Sequence, residues 1–413
     1  MRACVAGRGS SLPWCVCQAL NLPAHRPSIA PMNSRPRPFR FERGAVHFPE
    51  LALWLDAHDS RGPKEWAVVT HAHSDHIARH KRVILTDPTA RLLRQRLGGQ
   101  REECVLRFSE RRQFSGPGGD FALTLLPAGH ILGSAMVLVE WSGGSLLYTG
   151  DFRLRPSPAC EPCDFAVARG CDWLVMETTF GRPEYVFPPT ALVADELLRF
   201  CRAALAAGET PVLLGWTLGK AQELMCLLAD SGLRVAVHEA VLPLARIYEQ
   251  CGVRLGAYEA LDCAGLGVPP SGGSAVRPPE GGTPNAGRVL ICPPTFAQSP
   301  QRAALGPCRL AVATGWAMES SCKYRSGVDA AFPLSDHADF HELIEFVRQV
   351  RPRRVFTTHG FATAFAATLR DLGFAAEALV AAEQLTLSLG VAPTAVESPS
   401  TAARKGREGR PDA

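Results

Sequence analysis

The chain has 413 residues, 46% hydrophobic and 20% charged, with 44 Lys+Arg against 40 Asp+Glu for a formal net charge of +4. That composition gives a globular protein with a substantial core in one large or two ordinary domains, and the charge is too mild to establish a nucleic-acid partner by itself. No apolar run is long enough to span a membrane, and the 14 Cys fit no disulfide framework and read as reduced thiols of a cytoplasmic protein.

From Met1 to Phe41 there is no acidic residue among the scattered arginines, a composition shared with transit peptides. Because Met32 leads directly into the fold, residues 1–36 read better as an overextended start or a disordered arm. Strands follow at Trp66–Thr70, Leu123–Leu126, Ala135–Glu140 and Ser145–Tyr148, short apolar or alternating runs bounded by Gly, Pro and Asp. One helix interrupts them: Pro88 sits in its first turn, Leu92, Leu93 and Leu97 share a face, and Gly98-Gly99 stops it. Cys160 and Cys163 form a tight pair with no second pair at finger spacing, so they read as loop cysteines.

After Pro189 the rhythm changes to strand-helix alternation. Thr190 is expected to cap a helix that runs to Gly208; Pro211–Leu214 and Arg234–His238 are strands, and Ala221–Leu228 is a helix. The pattern predicts a separate α/β unit with a mostly parallel sheet. Its loop Gly215–Lys220 superficially resembles a phosphate cradle but lacks the glycine spacing of a nucleotide site. Pro269–Asn285 is Gly/Pro-rich and reads as a surface insertion. Asp339 and Glu342 have capping-box spacing ahead of an apolar face at Leu343, Ile344, Val347 and Val350, and Arg354–Thr358 is a strand that delivers His359. The tail from Ser398 is polar and reads as disordered. The expected division is 37–188 for the first part of one domain, 189–330 for the inserted unit, 331–395 for the closing part and 396–413 for the tail.

The chemistry concentrates at strand ends. His71, His73, Asp75 and His76 place four ligand-type side chains within six residues. Adjacent Asp75 and His76 diverge from His71 and His73, so the spacing suggests two zinc-like ions side by side, the arrangement that activates water against a phosphodiester. His130, Asp151, Glu177, His337 and His359 follow at the ends of later strands, where a rigid sheet mounts functional groups. Six of the 12 His thus occupy such positions; His25, His47, His58, His80, His238 and His341 read as surface or ordinary core residues, His80 lying near enough in sequence to support a ligand.

In order, His71-Ala72-His73-Ser74-Asp75-His76, Ala128-Gly129-His130-Ile131-Leu132-Gly133-Ser134 and Tyr148-Thr149-Gly150-Asp151 resemble the signatures of the metallo-β-lactamase fold. Met176–Gly181, Ser335–Asp339 and Thr357–Gly360 resemble the further motifs of its β-CASP nuclease branch, and Leu218–Leu224 is typical of that branch. Within it the chain is most similar to bacterial DNA-ligase-associated exonucleases, with Phe180–Pro183 and Gly315-Trp316 adding to the likeness over roughly Phe39 to Ala381. The resemblance implies an α/β protein, an αββα metallo-β-lactamase sandwich carrying an inserted α/β β-CASP cap that clamps a single strand. It implies two divalent ions, zinc or in its place manganese. His71, His73 and His130 would hold one ion and Asp75, His76 and His359 the other, with Asp151 bridging and Asp75 also orienting the nucleophile. His337 would be the general acid that protonates the departing oxygen, held by Glu177. Lys220, Lys323 and Arg325 are candidate contacts to the nucleic-acid backbone, a solvated basic patch being the plainer alternative. The implied substrate is DNA, in end trimming for repair beside an ATP-dependent DNA ligase. Because DNA-directed eukaryotic members replace the last motif's histidine and RNA-processing members keep it, His359 makes RNA the runner-up. A small-molecule hydrolase shares the first motifs but has no need of the inserted unit, Glu177 or His337; a silent metal scaffold is disfavoured by the complete ligand set.

Overall fold

A computed structural model describes residues 37–261 and 287–379. The expectations for residues 1–36, Pro269–Asn285 and the tail from Ser398 lie outside the described residues. Two twisted sheets stack face to face. The first joins six strands in chain order, Arg40–Glu42, Ala45–Phe48, Leu53–Leu55, Trp66–Val68, Arg82–Leu85 and Glu102–Val105. The second has seven, in the order Ala376–Ala378, Arg354–Thr358, Trp173–Glu177, Gly144–Tyr148, Ala135–Trp141, Gly119–Pro127 and Arg111–Gly116. Their inner faces interlock through Val46, Phe48, Leu53 and Leu55 on one side and Leu123, Leu125, Val137, Val139 and Phe356 on the other. Alternation along each strand sends the next residue outward, and those outer faces are covered by helices. Asp87–Leu97 lays Ala90 and Leu93 on Val69, Val83 and Leu85. Phe340–Val350 and Ala362–Asp371 lay Phe346, Val347, Phe365 and Leu369 on Leu138, Leu174 and Met176. The result is the αββα sandwich, and it is completed by the end of the chain: Arg354–Thr358 pairs in parallel with Trp173–Glu177.

Between those two paired strands the chain builds a third sheet of six strands, all parallel, in the order Tyr258–Ala260, Arg234–Val237, Arg288–Cys292, Thr210–Leu214, Cys308–Ala313 and Ala330–Phe332. Both its faces are buried, which is why its central strands are continuous apolar runs rather than alternating ones. Helices Thr190–Ala206, Lys220–Leu228 and Leu242–Gln250 cover one face through Leu197, Leu224 and Tyr248, and that apolar cluster continues into Ala72, Ile131 and Leu132 of the sandwich loops. Packing of the third sheet's helices therefore fixes the loops that carry His71, His73 and His130.

The Asp339–Glu342 capping box is present in both directions, at 2.9 and 3.0 Å. Thr190 departs from expectation: it is the first helical residue, Pro189 takes the cap position, and no side chain closes that turn. The last strand of the third sheet, Ala330–Phe332, straddles the expected boundary at 330.

Candidate metal centre

Strands Gly119–Pro127, Gly144–Tyr148, Trp173–Glu177 and Arg354–Thr358 run in one direction and end at the same rim, and the ligand-type side chains gather there under a cleft of about 490 Å³. His71, His73 and His130 form the tightest group. His71 Nε2 lies 3.1 Å from His73 Nδ1, and His130 Nε2 lies 3.0 Å from the same atom. The outward nitrogens settle which atoms carry protons. His73 Nε2 donates to the Leu218 carbonyl at 3.2 Å, and His130 Nδ1 donates to the Asp336 carbonyl at 2.9 Å. Thr70 Oγ1 gives its proton to Asp56 at 2.7 Å, so it accepts from His71 Nδ1 at 3.0 Å. Three imidazole lone pairs therefore face one another at hydrogen-bond distance with no proton between them. Such a set repels itself unless a cation stands among the nitrogens. Burial, reinforced by neighbouring imidazoles, holds His71 and His130 below their ordinary range and brings His73 to about 4, so all three are neutral imidazoles near pH 7. This donor set fits a divalent ion of borderline softness.

Asp151 joins the group to a second one. Its Oδ2 lies 3.5 Å from His71 Nε2, 3.7 Å from His130 Nε2 and 3.4 Å from His76 Nε2. Burial opposes its charge, but His76 and His337 hold the carboxyl well below its usual range. His76 donates from Nδ1 to Asp56 at 2.8 Å and turns Nε2 toward Asp151 and toward Asp75 at 3.9 Å. Burial disfavours a charged His76, yet Asp151 and Asp56 outweigh it and raise its pKa well above the ordinary value, marking a place where positive charge is wanted. The His359 ring stands 6.0 Å from that of His76 and lines the same cleft. His359 adopts a left-handed backbone, φ 54°, which costs a non-glycine residue about 1–2 kcal/mol.

His337 sits beside this centre, its ring 4.7 Å from that of His130. Its Nδ1 donates to Glu177 Oε1 at 2.8 Å, and Glu177 is buried and further fixed by the amides of Phe152 and Thr179 at 3.1 and 3.0 Å. Burial disfavours the imidazolium, but Glu177 and Asp151 prevail and raise its pKa to about 10.

All seven ligand candidates and the His337–Glu177 pair are thus brought together. The basic candidates are not. Lys220 lines the cleft but is buried, with Nζ 2.7 Å from Glu223 Oε2 and 3.7 Å from Asp336 Oδ1, and Arg153 completes that ion cluster by donating to Glu223 at 2.9 Å. Its charge is spent inside the protein rather than offered to a ligand. Lys323 and Arg325 lie on the short helix Cys322–Ser326 away from the cleft lining, and Arg325 pairs with Glu319 at 2.6 Å. His80 accepts from the Arg61 amide at 3.2 Å and touches no ligand. Cys160 and Cys163 belong to no ligand cluster among the described residues.

Sequence reading missed Asp56, fully buried and bonded to the Thr70 amide at 2.9 Å, to Thr70 Oγ1 and to His76. Gly219 enters the sequence reading as part of the Leu218–Leu224 motif; it stands at φ 88°, where a Cβ would be 2.4 Å from Ile131 Cγ2. Only glycine lets the Leu218 carbonyl approach His73.

Residues 330–379 match the family model described as Zn-dependent metallo-hydrolase RNA specificity domain. A "Probable DNA ligase" of Opitutus terrae is 44% identical over 360 residues, 87% of this chain and 32% of that protein. The "5' exonuclease Apollo" of Gallus gallus is 34% identical over 190 residues, 44% of this chain and 39% of that one, and an "RNase J-like protein" of Methanocaldococcus jannaschii is 28% identical over 182 residues, 39% and 42%. The chain spans between about a third and two-fifths of the length of these relatives. A solved structure of a protein of unknown function from Enterococcus faecalis V583 shares the fold at TM-score 0.50 and 13% identity, over 73% of this chain and 77% of that one.

Proposed function

The chain belongs to the β-CASP branch of the metallo-β-lactamase fold, and from that premise we propose that it is a two-metal phosphodiesterase that trims DNA ends in ligase-associated repair. The observation that carries the reading is the set of imidazole lone pairs converging beside Asp151 with the His337–Glu177 pair next to them. In it His71, His73 and His130 would hold one ion and Asp75, His76 and His359 the other, with Asp151 contributing to both; 37–188 with 331–395 would form the metal-binding domain, and 189–330 the cap. Bound divalent ions would lower the pKa of water and offset charge on phosphate oxygens.

The chain's own residues supply the rest. A phosphodiester leaving group departs as an alkoxide and needs a proton. His337, kept charged by Glu177 and lining the cleft, is the donor, and Glu177 fixes which nitrogen keeps its proton. The Leu218 carbonyl, from the cap, orients His73 and ties the cap to the centre. DNA and a ligase partner are favoured by the Opitutus terrae relative named as a probable DNA ligase, which matches 87% of this chain. A second reading, RNA cleavage, is favoured by His359 and by the description of the matched family model.

Zinc- or manganese-loaded protein offered labelled single-stranded DNA, the same strand as RNA, and a thioester distinguishes the readings. Shortened DNA is expected. Shortened RNA with intact DNA moves the assignment to RNA processing. Thioester hydrolysis alone indicates a small-molecule hydrolase, and bound metal with no turnover on any of them a scaffold.

A further inference from the structure

Two side chains on the cleft wall have no task in the chemistry above. Trp216, in the loop after Thr210–Leu214, lines the cleft yet is 67% exposed. Trp316 lines the same cleft but is packed on Phe180 at 4.8 Å and Tyr185 at 5.6 Å; Trp216 makes no ring contact among the described residues. An indole left open at a polar cleft mouth costs hydration free energy that a flat apolar ligand would recover. Arg96 stands on the wall that carries Ser74 and Asp75, in the last turn of Asp87–Leu97. Its Nη1 donates to the Ala72 carbonyl at 2.8 Å, which anchors the guanidinium. Arg91 and Arg94 of the same helix are paired with Asp87 and Glu103, whereas Arg96 makes no ion pair among the described residues. Lys220, the other Lys or Arg of the lining, is already neutralised.

We propose that Trp216 and Arg96 form a subsite for single-stranded nucleic acid, Trp216 stacking a nucleobase and Arg96 binding a backbone phosphate of the strand entering the centre. The subsite rests on the phosphodiesterase reading for its orientation toward the metal cluster. Stacking on an indole accepts any base, and an anchored guanidinium grips any phosphate, so the subsite selects strandedness rather than sequence.

The test is binding of a fluorescein-labelled, phosphorothioate-linked single strand to the full metal-loaded chain, read by anisotropy over a salt series, against the same strand with abasic sites. Trp216→Ala should weaken binding of the base-bearing strand by about tenfold or more and bring it close to that of the abasic one, and Trp216→Phe should restore most of the preference. Arg96→Ala should weaken both strands alike and flatten the salt slope by about 0.7. An unchanged preference for bases in Trp216→Ala, or a wild-type chain that binds neither strand, overturns the proposal. Hydrolysis of bis(p-nitrophenyl) phosphate, which carries no nucleobase, separates the two readings. Its absence with strand binding intact removes the hydrolase and leaves the subsite; its presence with no strand binding does the reverse.

Discussion

In the His71, His73 and His130 group the facing nitrogens lie 3.0–3.1 Å apart and every outward nitrogen is bonded to a fixed acceptor. In the Asp75, His76 and His359 group the two rings are 6.0 Å apart and the Asp75 side chain is 70% exposed. The first group draws its rigidity from three directions: Thr70, the cap's Leu218 and the closing segment's Asp336. The second has such support only at His76. A ligand whose orientation the fold has already fixed costs no ordering when a metal arrives, whereas Asp75 must lose side-chain freedom at that moment. The comparison therefore predicts one tight and one weaker metal position. The largest effect that tests it is His71→Ala against His359→Ala. His71→Ala should abolish metal retention in the trio and lower turnover on the order of 10³-fold or more; His359→Ala should keep the trio's metal through dialysis and lose only the other. Elemental analysis after gel filtration reads both, and equal losses would make the two positions equivalent.

His337→Ala sharpens the same comparison by removing a proton donor that belongs to neither group. Metal content should stay at the wild-type value while turnover on an oligonucleotide falls by about 10²- to 10⁴-fold. A leaving group with a low pKa, such as p-nitrophenolate, should be far less sensitive, since it departs without a proton. Equal loss on both substrates would mean that His337 holds the centre's shape instead.

The strand-end placement of these groups was legible because each follows a short apolar run that a sheet must bury, and Arg354–Thr358 and the Asp339–Glu342 cap were visible for the same local reasons. What was not legible depends on contacts far apart in sequence. Asp56 is an isolated carboxylate until Leu53–Leu55 pairs in parallel with Trp66–Val68 and sets it beside Thr70 and His76. A three-residue strand has too few alternations to announce itself. Lys220 has its partner Glu223 three residues on, but its burial needs Asp336 from the returning segment and Arg153 from the sandwich. Without those, a lysine after glycine at a helix start reads as a phosphate contact.

Asp56 touches both groups, directly through His76 and through Thr70 to His71. Asp56→Ala should weaken metal retention by about 10- to 100-fold, a smaller effect than loss of a ligand, and should do so at both positions. Competition with a chromogenic chelator measures it. Weakening confined to one position would show that the Thr70 link does not transmit orientation.

The smallest effect is on the stability of the chain stripped of metal, and there the two kinds of site histidine have opposite signs. His71, His73 and His130, with His359, are held below the ordinary 6.5 chiefly by burial, His73 at about 4. The unfolded chain takes up their protons first, so stability falls as pH drops from about 6.5 toward 4. His76 and His337 are raised because carboxylates outweigh burial, His337 to about 10. Their contribution is complete below 6.5 and is lost as pH rises through about 10. Tm of the metal-free chain should therefore peak near pH 6.5 and fall by roughly a few degrees on either side. Glu177→Gln takes away the charge that raises His337, so it should shrink the alkaline limb and leave the acid limb in place. A calorimetric series in which Glu177→Gln altered the acid limb alone would break the division between histidines set by burial and histidines set by carboxylates.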